Sequence, residues 1–310
     1  MIPTLGRQEV LSRVLDRLEA QTAPLASFEL VVVADGAEPD PGATERAIGE
    51  RPYAVRRADP RRPGASSARN AGVRAATAEL ILFLDDDVLP APDLIEEHLA
   101  WHAREPAEEV AVLGHVRWAR ELRVTPVMRW LERGVQFDYP AIEGTDAGWG
   151  RFYTANVSLK RALLERSGGF DEERLPYLYE DIDLGYRLNA LGLRLLYNRR
   201  AVGEHLHEMT LDTLIERMPR LAAAERRFVE LHPEIEPYFF NLFSGAGEPG
   251  KARSLHVARV VPRWVPWLGE MVWRRVGYAC VEALAPSFMR AWDEAGGASS
   301  APASSQASRK

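Results

Sequence analysis

Three consecutive aspartates, Asp85, Asp86 and Asp87, are the strongest chemical signal in the sequence. They follow Leu80–Leu84, a short apolar run that predicts a strand buried on both faces. Adjacent carboxylates repel one another unless a cation lies between them, and Mg²⁺ and Mn²⁺ prefer oxygen ligands. Because open α/β sheets bind ligands at the carboxyl ends of their strands, the pattern predicts a divalent-cation site. The alternative is a solvated acidic turn that only ends the strand.

A second acidic group lies in Tyr179–Gly192, a segment that predicts a helix with acids in its first turn. Helical spacing puts Asp181 on the same face as Leu184, which we expect to be the buried face, and Asp183 on the outer side. A buried carboxylate costs free energy unless something uses it, so Asp181 is a candidate functional group. The alternative is compensation of the helix dipole, which accounts for Glu180 adequately.

Two further patterns predict ligand contacts. Arg69 lies in the first turn of a predicted helix that Ser66 or Ser67 can cap. A cation opposes the helix dipole there, so the position predicts an anionic partner such as phosphate, with a surface ion pair as the alternative. His205 and His207 alternate in an extended segment and therefore point to one side, which permits metal binding. A structural role is the more common one for a histidine.

Strand and helix patterns alternate along the first two-thirds of the chain. A helix at Arg7–Ala20 lies between strands ending at Thr4 and at Val33, and this βαβ unit predicts a parallel sheet. Only Met1 and Ile2 precede Pro3 in the first strand, so we expect either a native start upstream or a sheet that tolerates a short strand. Another strand is expected to end at Val55, and further strands are predicted at Val110–Val116, Thr154–Lys160 and Leu193–Tyr197.

Composition limits the classes of function. The 310-residue chain has a net charge of −6, which argues against general nucleic-acid binding because that requires a basic face. Cys280 is the single cysteine, so no internal disulfide can form. Neither a signal peptide nor an apolar stretch long enough to cross a bilayer is visible. These features predict a cytoplasmic protein.

In two regions the periodicity is weak, so we interpret them from their residue composition. Aromatic residues, including Trp149, gather between Arg117 and Phe152, where they suit a sugar or lipid pocket or, alternatively, core packing. Trp264–Trp292 predicts helices that either pack on the sheet or lie on the inner face of a membrane. Residues 294–310 are expected to be disordered.

Taken in order, these motifs resemble family 2 glycosyltransferases, whose fold is of the GT-A type. The resemblance covers Ile2 to about His207, and the order and spacing of its motifs are more specific than any one of them. It implies an α/β fold with a Rossmann-like, mostly parallel sheet flanked by helices. Residues 1–207 would form the catalytic domain and 208–293 a helical extension. The matching stretches are Ile2–Arg7, Val32–Gly36, Gly64–Gly72, Phe83–Pro90, Asn156–Lys160 with Gly168–Asp171, and Glu180–Leu188.

The resemblance also implies roles for individual residues. Asp181 matches the catalytic base of the inverting members, with Glu180 beside it. Asp87 matches the residue that binds Mn²⁺ or Mg²⁺ at the donor diphosphate, Asp85 contacts ribose or metal, and His205 sits where some members supply a third ligand. The nucleotide-binding group would be Pro3, Thr4, Asp35, Arg69, Asp85 and Asp86, and the acceptor region would include Trp149, Asn156 and His207, the last also a candidate metal ligand.

The activity implied is inverting, metal-dependent sugar transfer. The donor would be a UDP-, GDP- or dTDP-linked sugar, and the acceptor a carbohydrate or lipid-linked hydroxyl in polysaccharide or glycolipid assembly. A non-catalytic relative that binds nucleotide-sugars is one alternative, disfavoured because the acids are intact. A sugar nucleotidyltransferase is the other, but it is expected to open with a basic, glycine-rich loop, and this chain opens with Ile2–Leu5.

Overall fold

A computed structural model of the chain describes residues 1–245 and 266–299. The chain divides into two compact units, Met1–Glu208 and Met209–Lys310. The division into a catalytic domain and a helical extension, with the roles expected for each, stays a prediction. The beginning of the predicted Trp264–Trp292 region and the tail from residue 300 onward lie outside the described residues.

The first unit opens with a small parallel sheet. Helix α1 (Gln8–Glu19) connects the first two strands and buries an apolar face that includes Leu11 and Leu15. Helix α2 (Pro41–Ile48) makes the second connection. The predicted βαβ unit is therefore present, with the central strand flanked by its two neighbours in the order β1 (Ile2–Thr4), β2 (Glu29–Ala34) and β3 (Ala54–Ala58).

A five-stranded mixed sheet positions the triple aspartate and the two predicted histidines. Its spatial order is β4–β7–β6–β8–β5, in which only the β6–β8 pairing is parallel. Met1 joins the two sheets, because its amino group donates to Leu82 O and its carbonyl accepts from Leu84 N. The strands are β4 (Leu80–Leu84), β5 (Val88–Pro90), β6 (Val110–Trp118), β7 (Asn156–Lys160) and β8 (Arg194–His205).

Helices cover the sheets of the first unit and make up the regular structure described in the second. The α/β class, a parallel sheet flanked by helices and a helical C-terminal region are all confirmed. After α1 and α2, the helices of the first unit are α3 (Ala65–Ala75), α4 (Leu94–Arg104), α5 (Pro126–Leu131), α6 (Arg161–Arg166) and α7 (Glu180–Ala190). The helices described in the second unit are α8 (Leu211–Leu231), α9 (Tyr238–Ser244) and α10 (Pro266–Ser299).

In the second unit α8 packs against α10. Glu225 of α8 is fully buried, and it accepts the amide hydrogens of Phe239 and Phe240 at 2.6 and 2.8 Å, which fixes the start of α9. Among the helices in the described ranges, none combines the length and apolarity needed to cross a membrane. The expected contact of this region with the sheet or with a membrane surface stays a prediction.

Several element bounds differ from those predicted. The strand predicted at Leu193–Tyr197 continues to His205, because it pairs with β6 past a bulge at Gly114/His115 and then with β5. The strand expected to end at Val55 runs to Ala58. Helix α10 reaches Ser299, so the predicted start of the disordered tail at residue 294 is wrong. Alanine is the best helix former, and composition alone did not separate a helix end from a tail.

A buried chain of hydrogen bonds connects α4 to β7 and β8. Asn156 Nδ2 donates to Ala201 O at 2.9 Å, so its Oδ1 accepts from His98 Nε2 at 2.9 Å. Burial favours neutral imidazoles, and in that form His98 Nδ1 accepts from the Ser158 hydroxyl at 2.8 Å and Ser158 Oγ accepts from His102 Nε2 at 2.9 Å. The remaining ring nitrogen, His102 Nδ1, accepts from Lys160 Nζ at 3.2 Å, so the neutral forms give every ring nitrogen of the two histidines a partner.

The two buried, hydrogen-bonded histidines are predicted to reduce stability in acid. Burial lowers the pKa of His98 and His102 to about 4 from 6.5, with the charge of Lys160 also acting on His102. Between these pH values the unfolded chain binds more protons, so stability present above pH 6.5 is lost as pH falls towards 4. The loss is on the order of 3 kcal/mol per histidine.

Urea unfolding at pH 7, 5.5 and 4.5 measures this loss. His98→Gln removes one of the two histidines, and the other titrating groups are common to both proteins, so between pH 7 and pH 4.5 the variant should lose about 2–3 kcal/mol less unfolding free energy than the wild type. His232→Gln, which lies outside the buried chain, should retain the wild-type dependence. Parallel curves for His98→Gln and the wild type would contradict the assignment.

Candidate active site

The triple aspartate lies at the carboxyl end of β4, beside the end of β1. Asp86 and Asp87 are buried, whereas Asp85 keeps 30% of its side chain exposed. Thr4, the last residue of β1, donates from Oγ1 to Asp86 Oδ2 at 2.7 Å, and Pro3 precedes it in the same strand. Residues from two sheets thus meet at one edge, as the rule for open α/β sheets predicts.

Arg7 supplies the positive charge for two of the three aspartates. Its guanidinium forms ion pairs with Asp86 and Asp87. Burial raises the pKa of Asp86 to about 6 even though the Arg7 charge opposes this change. Burial acts in the same direction on Asp87, but the contacts with His205 and His207 and the Arg7 charge outweigh it and lower the pKa of Asp87 well below its usual range. The sequence assigned no role to Arg7.

Asp87, His205 and His207 form a cluster that could hold a metal ion. One ligand atom from each lies within 4.8 Å of the others. His205 Nε2 and His207 Nδ1 each lie 3.3 Å from Asp87 Oδ2. The pairing of β5 with β8 sets this arrangement, because His205 lies opposite Val88 and Leu206 N donates to Asp87 O at 2.7 Å.

The donor atoms of this cluster fit a divalent transition metal. One carboxylate and two imidazoles suit Mn²⁺ better than Mg²⁺, which favours oxygen ligands and water. Trp118 stacks on the His205 ring at 5.3 Å between centroids and fixes its orientation. The sequence names Asp85, Asp87 and His205 as ligands, but Asp85 does not join the cluster, because its carboxylate binds Arg69 instead.

Arg69 is the buried centre of a second ion-pair group. Its Nη1 donates to Glu180 Oε1 at 2.7 Å and its Nη2 to Asp85 Oδ1 at 3.1 Å. Within the described part of the chain, Arg69 Nε and Glu180 Oε2 are buried without a hydrogen-bond partner. The sequence predicts an anionic partner for Arg69, and in this structure the partners are two carboxylates that it joins across α7 and the end of β4.

The predicted capping of α3 by a serine is wrong. The residue before the helix is Gly64, and no side chain caps it. Ser66 Oγ donates to Leu175 O at 2.5 Å, and Ser67 Oγ donates to Glu172 Oε2 at 2.9 Å. Both hydroxyls therefore attach the segment that precedes α7 to α3.

Asp181 lies half-buried in the first turn of α7. Burial raises the pKa of Asp181 to about 7; the neighbouring charge of Glu180 raises it further, and Arg69 opposes the change. Asp183, expected on the outer side of the helix, is buried and pairs with Arg187 at 2.7 Å. Helix α7 is thus covered on more than one face, which a single-face periodicity does not anticipate.

Asp35 follows β2 and is buried among hydrogen-bond donors. Gly64 N donates to both of its oxygens, at 3.1 and 3.2 Å, and the Tyr177 hydroxyl donates to Oδ2 at 2.9 Å. Tyr177 was not recognisable from the sequence, because a lone tyrosine in a loop carries no pattern. The next two residues, Leu178 and Tyr179, have φ of 61° and 63°. Left-handed backbone costs an L-residue roughly 1–2 kcal/mol, so this segment is strained.

The predicted acceptor residues occupy different environments. Trp149 packs edge-on against Tyr186 of α7 at 5.2 Å, next to the helix that carries Asp181. Gly185 permits this approach, since a Cβ there would lie 2.6 Å from Trp149 O. Asn156 is fully buried, and its side-chain amide is hydrogen-bonded to His98 and to Ala201 O. The prediction that it contacts an acceptor is therefore wrong.

The sequence profile of glycosyl transferase family 2 matches residues 1–163. The chain is 31% identical over 278 residues to the validoxylamine A glucosyltransferase of Streptomyces hygroscopicus subsp. jinggangensis, a match that covers 77% of this chain and 62% of that relative. The chain thus spans about three-fifths of the length of the first curated relatives it matches.

Two solved structures resemble the fold. One is the mannosyltransferase PcManGT from Pyrobaculum calidifontis with GDP-Man and Mn²⁺, with a TM-score of 0.60 and 20% identity, covering 94% of this chain and 86% of that one. The other is TarS of S. aureus with UDP, with a TM-score of 0.55 and 13% identity, covering 96% and 90%. At these identities the likeness shows the fold alone.

The Arg69 group makes a prediction about stability. Arg69→Met leaves the buried Glu180 carboxylate without its cation, which should cost about 3–5 kcal/mol of unfolding free energy. Adding Glu180→Gln removes that charge and should restore at least half of the loss. Urea unfolding at pH 7 measures both. Arg62→Met breaks an exposed pair with Glu173 and should cost less than about 1 kcal/mol. Equal losses in Arg69→Met and Arg62→Met would contradict the role given to Arg69.

Proposed function

Since the chain belongs to glycosyl transferase family 2, we propose that it transfers a sugar from a nucleoside-diphosphate sugar to an acceptor hydroxyl, with inversion at the anomeric carbon. The observation that carries this proposal is the position of Asp181. It lies in one group of charges with Glu180, Arg69 and Asp85, and the pKa of its carboxyl is raised to about 7. A carboxylate that titrates near neutral pH is suited to general-base catalysis.

The donor would lie across the ends of β1, β2 and β4. Asp35 is the proposed contact for the nucleobase, since it follows β2 at this edge of the sheet, and hydrogen bonds from Gly64 N and the Tyr177 hydroxyl fix the orientation of its carboxylate. Arg69 and Asp85 would lie near the ribose and diphosphate. The unpartnered Nε of Arg69 supports a ligand here, because a buried donor without a partner is costly. Relatives of this fold solved with GDP-Man or UDP support the donor class.

Asp87, His205 and His207 would hold the divalent cation, and their donor atoms favour Mn²⁺ over Mg²⁺. A cation bound there neutralises negative charge on the diphosphate leaving group. This assignment includes both histidines, between which the sequence left the choice open. It also gives Asp85 a role towards the nucleotide, since Arg69 holds its carboxylate away from the cluster.

Asp181 would act as the base. Its ionised carboxylate accepts the proton of the acceptor hydroxyl while that oxygen attacks the anomeric carbon from the side opposite the diphosphate. A single displacement of this kind inverts the configuration. Glu180 is fixed by Arg69 through one oxygen, and its other oxygen is free of partners within the described residues, so it could accept a hydrogen bond from the acceptor.

Trp149 would lie on the acceptor side, because it packs on the helix that carries Asp181. The acceptor is a carbohydrate or a lipid-linked hydroxyl in surface polysaccharide or glycolipid assembly. One relative is named for validoxylamine A, so small-molecule acceptors belong in the same panel of assays.

Asp181→Asn tests the base. Replacing the carboxylate with an amide removes proton acceptance, so transfer should fall about 10²–10⁴-fold while the affinity for the nucleotide stays near the wild-type value. The wild-type rate should rise with pH through about 7, because the base acts in its ionised form. Transfer assays measure the rate and its pH dependence, and isothermal titration measures the affinity for the nucleotide. Asp183→Asn, on the same helix and paired with Arg187, should retain transfer within about tenfold. Wild-type rates in Asp181→Asn would rule out this base.

A thermal-shift panel tests the donor and the metal. UDP, GDP, dTDP and CDP are each added with and without Mn²⁺ to the wild type and to Asp87→Ala. One nucleotide should stabilise the wild type only with Mn²⁺, by a few degrees at about 100 times its Kd, and Asp87→Ala should lose the effect. No shift with any nucleotide would contradict the donor class. A shift in a protein that transfers to no acceptor is what a non-catalytic binding relative predicts.

A further inference from the structure

Arg7 lies among the same atoms that could hold the cation. Its Nη1 contacts Asp87 Oδ2 and lies 3.1 Å from His207 Nδ1. Its Nη2 contacts Asp86 Oδ1. Two of the three candidate metal ligands thus share one guanidinium nitrogen as a partner.

Arginine competes with a metal ion for the same ligand atoms. A guanidinium has five N–H donors and no acceptor, so Asp87 Oδ2 accepts from Arg7 Nη1 through a lone pair that a metal ion would also need. The same nitrogen lies 3.1 Å from His207 Nδ1, so the positive charge of Arg7 is in contact with two of the three candidate ligands. Two cations at the same ligand atoms repel each other, so Arg7 and a metal ion cannot hold this place at the same time.

The position of Arg7 is not explained by the helix that follows it. Arg7 is the residue before the first turn of α1, where the helix dipole disfavours a cation. Its side chain keeps 38% of its surface exposed, whereas those of Asp86 and Asp87 are 1% and 5% exposed. Because the Arg7 side chain is already partly exposed, its guanidinium can move into solvent without a rearrangement of the core. The two acids cannot leave the interior, so they need a positive charge beside them.

We propose that Arg7 is the resident cation of the metal-free site, that a divalent cation displaces it from Asp87 and His207, and that the displaced guanidinium then binds the diphosphate of the donor. The last step rests on the proposed function. A guanidinium matches two phosphate oxygens in a bidentate arrangement, so the donor offers a new partner to the group that the metal releases. Arg7 thereby opposes metal binding in the absence of donor.

Mn²⁺ titration followed by electron paramagnetic resonance tests the displacement without an activity assay. In the absence of nucleotide, Arg7→Gln should bind Mn²⁺ about tenfold more tightly than the wild type or better, because a charge-assisted contact no longer competes. Arg7→Lys keeps a positive charge that still competes with the metal ion, so its gain should be smaller. Equal or weaker binding by Arg7→Gln would overturn the inference.

Arg117→Gln is the matched control for the loss of a nearby charge. Arg117 lies on the strand that pairs with β8 and forms an ion pair with Glu204 at 2.7 Å, one residue before His205. It contacts none of the three ligands through any hydrogen bond or ion pair of the described residues. Its replacement should change Mn²⁺ affinity less than about threefold. A gain equal to that of Arg7→Gln would show a general charge effect and overturn the displacement.

Thermal unfolding gives a second readout that covers a destabilised variant. In EDTA, Arg7→Gln should melt below the wild type, because Asp86 and Asp87 have lost their cation, and saturating Mn²⁺ should close the gap. A gap that Mn²⁺ leaves unchanged would overturn the inference.

The titration is then repeated with UDP and with GDP. Nucleotide should tighten Mn²⁺ binding more in the wild type than in Arg7→Gln. If neither nucleotide affects any variant while Arg7→Gln keeps its gain, the displacement stands and the proposed donor function fails.

Discussion

The site depends on the burial of carboxylates beside a small number of guanidinium groups. Arg69 lets Glu180 and Asp85 lie together, and Arg7 does the same for Asp86 and Asp87. A buried carboxylate without a cation would cost several kcal/mol, so each arginine is a condition for the fold at this edge.

The positive charge at this edge is smaller than the negative charge. Five carboxylates, Asp85, Asp86, Asp87, Glu180 and Asp181, face two guanidinium groups. Part of the imbalance is relieved by proton uptake, since burial raises the pKa of Asp86 to about 6 and that of Asp181 to about 7. A divalent cation would relieve more of it. The proposed metal and the proposed base therefore follow from one electrostatic constraint.

Much of this site could be predicted from the sequence because its signals are local. The apolar run before Asp85 fixes the end of a strand, and the spacing of His205 and His207 fixes a shared side. The glycine after the acid-rich helix marks its end near residue 190. These inferences need only strand and helix periodicity, which neighbouring residues determine.

The remaining features depend on which partner a polar group meets in space. No local pattern favours Leu175 O over a helix amide as the partner of Ser66, or burial over exposure for Asp183. Arg7 carried no signal for the same reason, since its acids lie about 80 positions away. Asn156 matched a functional motif, and only its hydrogen bond to His98 identifies it as part of a buried chain.

The strained segment before α7 shows how these contacts work together. Leu178 and Tyr179 would relax from φ above 60° if their neighbours were free. They are not free, because α3 holds the carbonyls of Leu175 and Pro176, Asp35 holds the hydroxyl of Tyr177, and Arg69 holds Glu180. The contacts on both sides of the strained residues therefore fix the direction in which α7 begins. The nucleoside side of the site and the first turn that carries Asp181 are joined by this short, strained and fully anchored connection.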